Sequence, residues 1–114
     1  MVEKKSMSAQ TVLIVRFVPY PGKYEAFRDH LFALVEKMSG EPDFVNTIVH
    51  DDLENTGQLV LYEIWSGTKE RWLREQPPKP YRGDYELRLP ELLKHRDISW
   101  LAPIREWGSN LTET

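Results

Sequence analysis

The sequence predicts an α+β domain, a four-stranded antiparallel sheet with helices on one face, and three observations carry that reading. Segments of strand period and helical period follow one another in the order strand, helix, strand, strand, helix, strand. Two of the apolar runs, 11–18 and 58–65, are hydrophobic at both parities, so they belong in the middle of a sheet and not at its rim. Between FVNTIVH and QLVLYEIW lies a polar segment rich in Asp, Asn and Gly, which joins those two runs as a hairpin.

Each element has its own justification. Residues 11–18 (TVLIVRFV) are β-branched or apolar except for Arg16, and Pro19, Pro21 and Gly22 end the strand. From Lys23 onward Tyr24, Phe27, Leu31, Leu34, Val35 and Met38 fall at helical spacing, giving a helix over 22–39 with Gly40 as its C-terminal cap. The hairpin turns through Asp51, Asp52, Glu54, Asn55, Thr56 and Gly57, a loop of about five or six residues. If His50 pairs with Leu59, then Asn46 faces Glu63 and Phe44 faces Trp65, and a slip of one residue undoes the arrangement. Thr68–Glu75 forms a short helix carrying Trp72 and Leu73, which the Gln76-Pro77-Pro78-Lys79-Pro80 stretch must break. Tyr81, Tyr85, Leu89 and Leu92 then recur at helical spacing, with Asp84 as an N-cap and Pro90 interrupting the middle, so the second crossover is expected as about two or three short helical pieces. Residues 97–104 (DISWLAPI) make the last strand, and Pro103 confines it to an edge or a strand end.

Two such βαβ halves give a ferredoxin-like βαββαβ topology with strands one and three central and two and four at the edges. The domain spans 11–105, between an N-terminal tail at 1–10 and a C-terminal tail at 106–114. Helices cover only one face of such a sheet. Because the central strands are apolar on both faces, the open face needs a cover, and a second copy of the same face is the simplest one, which predicts a homodimer.

Composition narrows the function classes. At 114 residues roughly 65% of the unfolded surface can be buried, enough for one core. Fifteen basic and eighteen acidic side chains, mixed along the chain to a net charge of -3, leave no footprint for nucleic acid. The absence of cysteine removes thiolate metal sites, iron–sulfur ligation and cysteine nucleophiles. His30, His50 and His95 show no metal-ligand spacing, and no glycine loop is built to cradle phosphate, so no metal or cofactor is expected. No run approaches the roughly 20 apolar residues of a membrane helix and no signal-type apolar region follows Lys4 and Lys5, so a cytoplasmic protein with no membrane partner is expected.

The anomaly is Glu63, a carboxylate between Tyr62 and Ile64 in the most apolar strand, which must be hydrogen-bonded, paired or turned into a polar cavity. Glu63, His50 and Asn46 are the candidate catalytic groups; Glu63 can equally be a structural hydrogen-bonding carboxylate, and His50, closing a strand beside an acidic turn, also reads as an exposed or capped residue. Trp65, Trp72, Phe44 and Tyr85 can wall a planar substrate or fill the core. Arg16, alone in an apolar strand, either pairs with a buried carboxylate such as Glu63 or anchors a substrate anion.

The order Glu41-Pro42, a strand ending in His50, an acidic turn closed by Gly57, and then Tyr62, Glu63 and Trp65 resembles the antibiotic biosynthesis monooxygenase family and its quinol-monooxygenase-like relatives. With the first strand and Pro21-Gly22-Lys23, the likeness covers roughly residues 11 to 66. The resemblance implies a dimeric α/β barrel with a pocket between sheet and helices, where some members oxidise polycyclic aromatic or quinol substrates without metal or flavin. The chain departs from two patterns in that family. Haem-degrading relatives carry an asparagine on the first strand, where this chain has Ile14-Val15-Arg16, and a histidine in the second crossover, where none precedes His95. Polyketide-oxidising members carry an asparagine on the third strand, where this chain has Leu59 to Leu61. A cofactor-independent monooxygenase for a small aromatic substrate and a non-catalytic ligand-binding or regulatory dimer of the same fold are the two readings the sequence leaves.

Overall fold

The computed structural model describes residues 10–108. In chain order its elements are β1 (Gln10–Pro19), α1 (Tyr24–Met38), β2 (Phe44–Asp51), β3 (Leu59–Ser66), α2 (Lys69–Glu75), α3 (Pro80–Leu92) and β4 (Leu93–Leu101). The four strands form one antiparallel sheet in the order β2-β3-β1-β4, with the two most apolar strands in the centre as their two-sided hydrophobicity requires. The expected tail over 1–10 lies outside the described residues except for Gln10, which opens β1, and the expected tail over 106–114 is described only to Gly108.

Parity sorts the sheet into two faces. Leu13, Val15 and Phe17 pair across to Glu63, Leu61 and Leu59, and this parity meets the helices, where Phe27, Leu31, Leu34 and Met38 of α1 and Tyr85, Leu89 and Leu92 of α3 complete the core. Val12, Ile14 and Arg16, opposite Ile64, Tyr62 and Val60, look out of the other face. Phe27 is fully buried and meets Phe17 with ring centroids 4.9 Å apart. Its burial seats α1 on the sheet.

The hairpin register differs from the expected one. Phe44 does pair with Trp65, but a bulge follows, and beyond it Asn46 pairs with Ile64, Thr47 with Glu63 and His50 with Val60. One extra residue, Val45, flips the parity of the rest of β2. Asn46, Ile48 and His50 therefore share the open face with Ile64, Tyr62 and Val60, and Asn46 does not face Glu63.

The crossover and the last strand also depart from expectation. Pro80 sits in the first turn of α3, where a missing N–H removes no helical bond, and Lys79 takes the cap position expected for Asp84. Pro90 does not split the helix because it falls in the last turn, and the Leu93 amide closes that turn on the Leu89 carbonyl. Leu93 is already extended, so helix passes into strand without a loop. β4 thus starts at Leu93 and stops at Leu101 before Pro103, in place of 97–104. Its early residues Lys94, His95 and Arg96 are exposed along an edge, which hides the strand from an apolar-pattern reading. At the end of α1 the cap is Ser39, and Gly40 follows it with its amide on the Lys37 carbonyl and no left-handed backbone.

Arg16 is paired, though not to Glu63. It meets Asp52, whose carboxylate also accepts from the Glu54 and Asn55 amides and the Asn55 side chain, and Gly57 closes the loop with φ 89°. These donors, the Asn55 side chain first and then the Glu54 amide, hold the Asp52 carboxyl down at about 2. A depressed acid stabilises the fold above its ordinary value of 3.8, and the contribution is lost as pH falls towards about 2. The carboxyl carbon of Asp52 should therefore titrate by NMR near pH 2, and Asp52→Asn should reduce stability at pH 7 while leaving it unchanged at pH 1.5. In the core, Phe27→Ala should cost about 3–5 kcal/mol in chemical denaturation.

Candidate active site

A cavity of about 280 Å³ lies between the helix-facing side of the sheet and the α2–α3 segment. β1 contributes Leu13, Val15 and Phe17, β3 contributes Leu61 and Glu63, and Trp72 of α2 with Arg82 and Tyr85 of α3 close it from above. Glu86, Arg96 and Ile98 complete the lining. The apolar strand pattern builds the floor, and the break at Gln76–Lys79 turns the chain so that two short helices bring Trp72 and Arg82 over the same space.

Glu63 is 4% exposed, and its Oε1 accepts a 2.7 Å hydrogen bond from Trp65 Nε1. Burial pushes its carboxyl above the ordinary value, while the Trp65 N–H and the charge of Arg82 pull the other way without cancelling the burial. The guanidinium of Arg82 lies 4.9 Å from the centre of the Trp72 ring and 5.9 Å from that of Trp65, and its Nε and Nη2 are buried with no hydrogen-bond partner. The Tyr85 hydroxyl and Trp72 Nε1 are likewise buried and unpartnered, and burial raises the Tyr85 phenol. Unsatisfied polar groups around one cavity are costly to folding, at about 1–3 kcal/mol each, and such a cost is repaid where a ligand engages them. His30 fixes Tyr85 from behind, with Nε2 2.9 Å from the Tyr85 backbone carbonyl and the rings stacked at 4.7 Å. At the start of α3, Tyr81 donates to Glu41 at 2.8 Å and Lys79 bridges to it at 3.1 Å, tying the helix bearing Arg82 to the α1–β2 connection.

The structure brings together three of the residues singled out from the sequence: Glu63, Trp72 and Tyr85 line one cavity. Trp65, 1% exposed, lies behind it and orients Glu63, and Phe44 meets Trp65 edge-on at 5.4 Å. Three others stand apart from it. Asn46, His50 and Arg16 belong to the opposite sheet face, His50 with Nδ1 3.0 Å from the Val60 carbonyl. Sequence reasoning missed Arg82, Glu86 and Arg96. Starting α3 at Pro80 would have placed Arg82 on one face with Tyr85 and Glu86, whereas an N-cap at Asp84 left it outside the helix. Among the described residues no cluster of His, Asp or Glu is arranged to hold a metal ion.

The family model for antibiotic biosynthesis monooxygenase matches residues 11–72, more than half of the chain, including β1, α1, β2, β3 and Trp72. The chain belongs to the antibiotic biosynthesis monooxygenase family. No curated protein matches it. Among solved structures, a protein from Mycobacterium tuberculosis is 26% identical with TM-score 0.75, over 87% of this chain and 99% of that one. A conserved protein from Methanosarcina mazei is 19% identical with TM-score 0.79, covering 90% and 100%. SnoaB from Streptomyces nogalater, described as a cofactor-independent oxygenase, is 13% identical with TM-score 0.76, covering 89% and 99%. These likenesses establish the ferredoxin-like arrangement across the part of the chain beyond residue 72, where the family model stops. In this family member the cavity lies on the sheet face bearing Glu63, and its upper wall comes largely from α3, outside the matched segment.

The raised carboxyl has a testable consequence. Between the ordinary value of 4.5 and its higher folded value, the folded state holds a proton that the unfolded state has released, so stability falls as pH rises through that window. Glu63→Gln keeps an acceptor for Trp65 without the charge. It should be more resistant to denaturant than the parent at pH 7, with the difference closing below about pH 4.5, as thermal melts across pH will read.

Proposed function

We propose that this protein is a cofactor-independent monooxygenase for a planar aromatic, hydroquinone-like molecule bound in the Glu63 cavity. The observation that carries the reading is a buried carboxyl of raised proton affinity that shares its cavity with the Arg82 guanidinium, two of whose nitrogens are buried without a partner, over a floor of apolar side chains and beneath Trp72 and Tyr85. A base in a dry site needs a high proton affinity to take a phenolic proton, and Glu63 has it. Arg82 then faces a neutral acid and holds the phenolate oxygen in its place. Trp72 and Tyr85 flank the ring plane.

The chemistry balances without a further reagent. The phenolate passes one electron to dioxygen, and the substrate radical and superoxide combine at a ring carbon that bears hydrogen. Loss of water from the resulting hydroperoxide leaves a carbonyl and turns the phenol into a quinone. One oxygen atom stays in the product. The other departs as water with the ring hydrogen and the proton that Glu63 returns. Membership of the family and the likeness to SnoaB, a cofactor-independent oxygenase, support this class of reaction.

Oxygen uptake with a hydroxynaphthalene should proceed with no added metal, flavin or haem, and Glu63→Gln should lower kcat/KM by about 10²–10⁴-fold while leaving the fold intact. A Glu63→Gln variant that binds and oxidises at the parent rate would refute the role of Glu63. Binding of the naphthol without oxygen uptake by the parent protein would instead leave a ligand-binding domain of the same fold.

We also propose that the protein is a homodimer through its open sheet face. Val12, Ile14, Val18, Val60, Tyr62 and Ile64 form the centre of that face, and Ile48 and Leu101 extend it while 42% and 48% exposed. Ile14→Glu should give a folded monomer in sedimentation, because Ile14 points away from the helices. Val15→Glu should unfold the chain, because it places an unpaired charge, at several kcal/mol, in the core.

A further inference from the structure

We propose that Arg96 is a second recognition point, at the mouth of the cavity, for a carboxylate carried by the aromatic substrate. The inference rests on the reading of the cavity as a substrate site and narrows the substrate to an acidic aromatic whose phenol and acid lie at opposite ends.

Glu63 pairs with Leu13 on one side of β1, and Arg96 pairs with Phe17 on the other, both at the helix-facing parity. Their stations along β1 differ by four residues, roughly 13 Å. The cavity touching both therefore runs diagonally across the sheet. Exposure grades along it, with Glu63 at 4% and the side chains of Arg96 and Glu86 at 32% and 52%. A fused-ring molecule entering with its phenol towards Glu63 leaves its trailing edge beside Arg96.

Arg96 already holds a carboxylate. Nη1 and Nη2 donate to the two carboxylate oxygens of Glu86 at 2.9 and 3.3 Å, which shows that the guanidinium is held in the fork geometry a carboxylate requires. Glu86 also lines the cavity and is half exposed, so solvent screens the pair and weakens it. A substrate carboxylate can take its place at little cost, and Glu86 swings into solvent. A guanidinium also has donors to spare and can hold both.

Anaerobic tryptophan-fluorescence titrations with 2-naphthol and 6-hydroxy-2-naphthoate test the proposal, since Trp72 lines the cavity and quenching reports occupancy. The parent protein should bind the hydroxynaphthoate at least about tenfold more tightly than the naphthol, about 1.4 kcal/mol. Arg96→Met should abolish the preference, and Glu86→Gln should enlarge it by removing the competing carboxylate. Equal affinities in the parent, or a preference that survives in Arg96→Met, would overturn the carboxylate subsite and leave the aromatic cavity standing. Binding of neither probe would overturn both. Urea melts of each variant separate lost recognition from a lost helix–strand staple.

Discussion

The pairing of β1 with β3 is the constraint from which the rest follows. Both strands are apolar at both parities, so they must lie side by side in the centre of the sheet, and everything else is arranged to cover them. One face takes α1 and α3. Into that covered face the sequence puts a carboxylate, at a position where Leu or Val would pack without penalty. The fold tolerates Glu63 because Trp65, two residues along the same strand and on the same face, turns its indole N–H onto it. A stable core and the floor of a cavity are thus made by one strand, with alternate residues Leu59, Leu61, Glu63 and Trp65 sharing the two tasks.

Much of this was legible in the sequence. The βαββαβ order, the central strands, α1 and the anomaly of Glu63 all follow from local pattern, because each rests on hydrophobic periodicity that neighbouring residues reinforce. What stayed hidden has physical reasons. The bulge at Val45 leaves no compositional mark, since Val-Asn-Thr reads as a plain strand, yet it decides which face receives Asn46 and His50. The partner of Arg16 lay in the hairpin loop, at Asp52, where a long side chain reaches across the strand order. Arg82 and Arg96 were missed because each sits where a pattern was misread: one in a helix thought to begin later, one in a strand too polar to be noticed.

Half of the cavity's chemistry comes from a part of the chain with little apolar signal. The floor, from β1 and β3, lies within the segment that the family model matches, while Arg82, Tyr85, Glu86 and Arg96 lie beyond it. The sheet supplies an apolar platform, and the segment after it decides which side chains stand over that platform.

The Val45 bulge bears on how such a site can change over generations. An in-frame loss of the Val45 codon would leave Asn46 opposite Ile64 and simply regularise the ladder, so the present faces of Asn46, Ile48 and His50 survive it. Drawing Val45 into register against Ile64 instead would move every later residue on by one partner, carrying Asn46, Ile48 and His50 to Glu63, Leu61 and Leu59 on the cavity side and sending Thr47 and Val49 outwards. The hairpin therefore holds, next to the present arrangement of polar groups, a second one written in the same residues and one register step away.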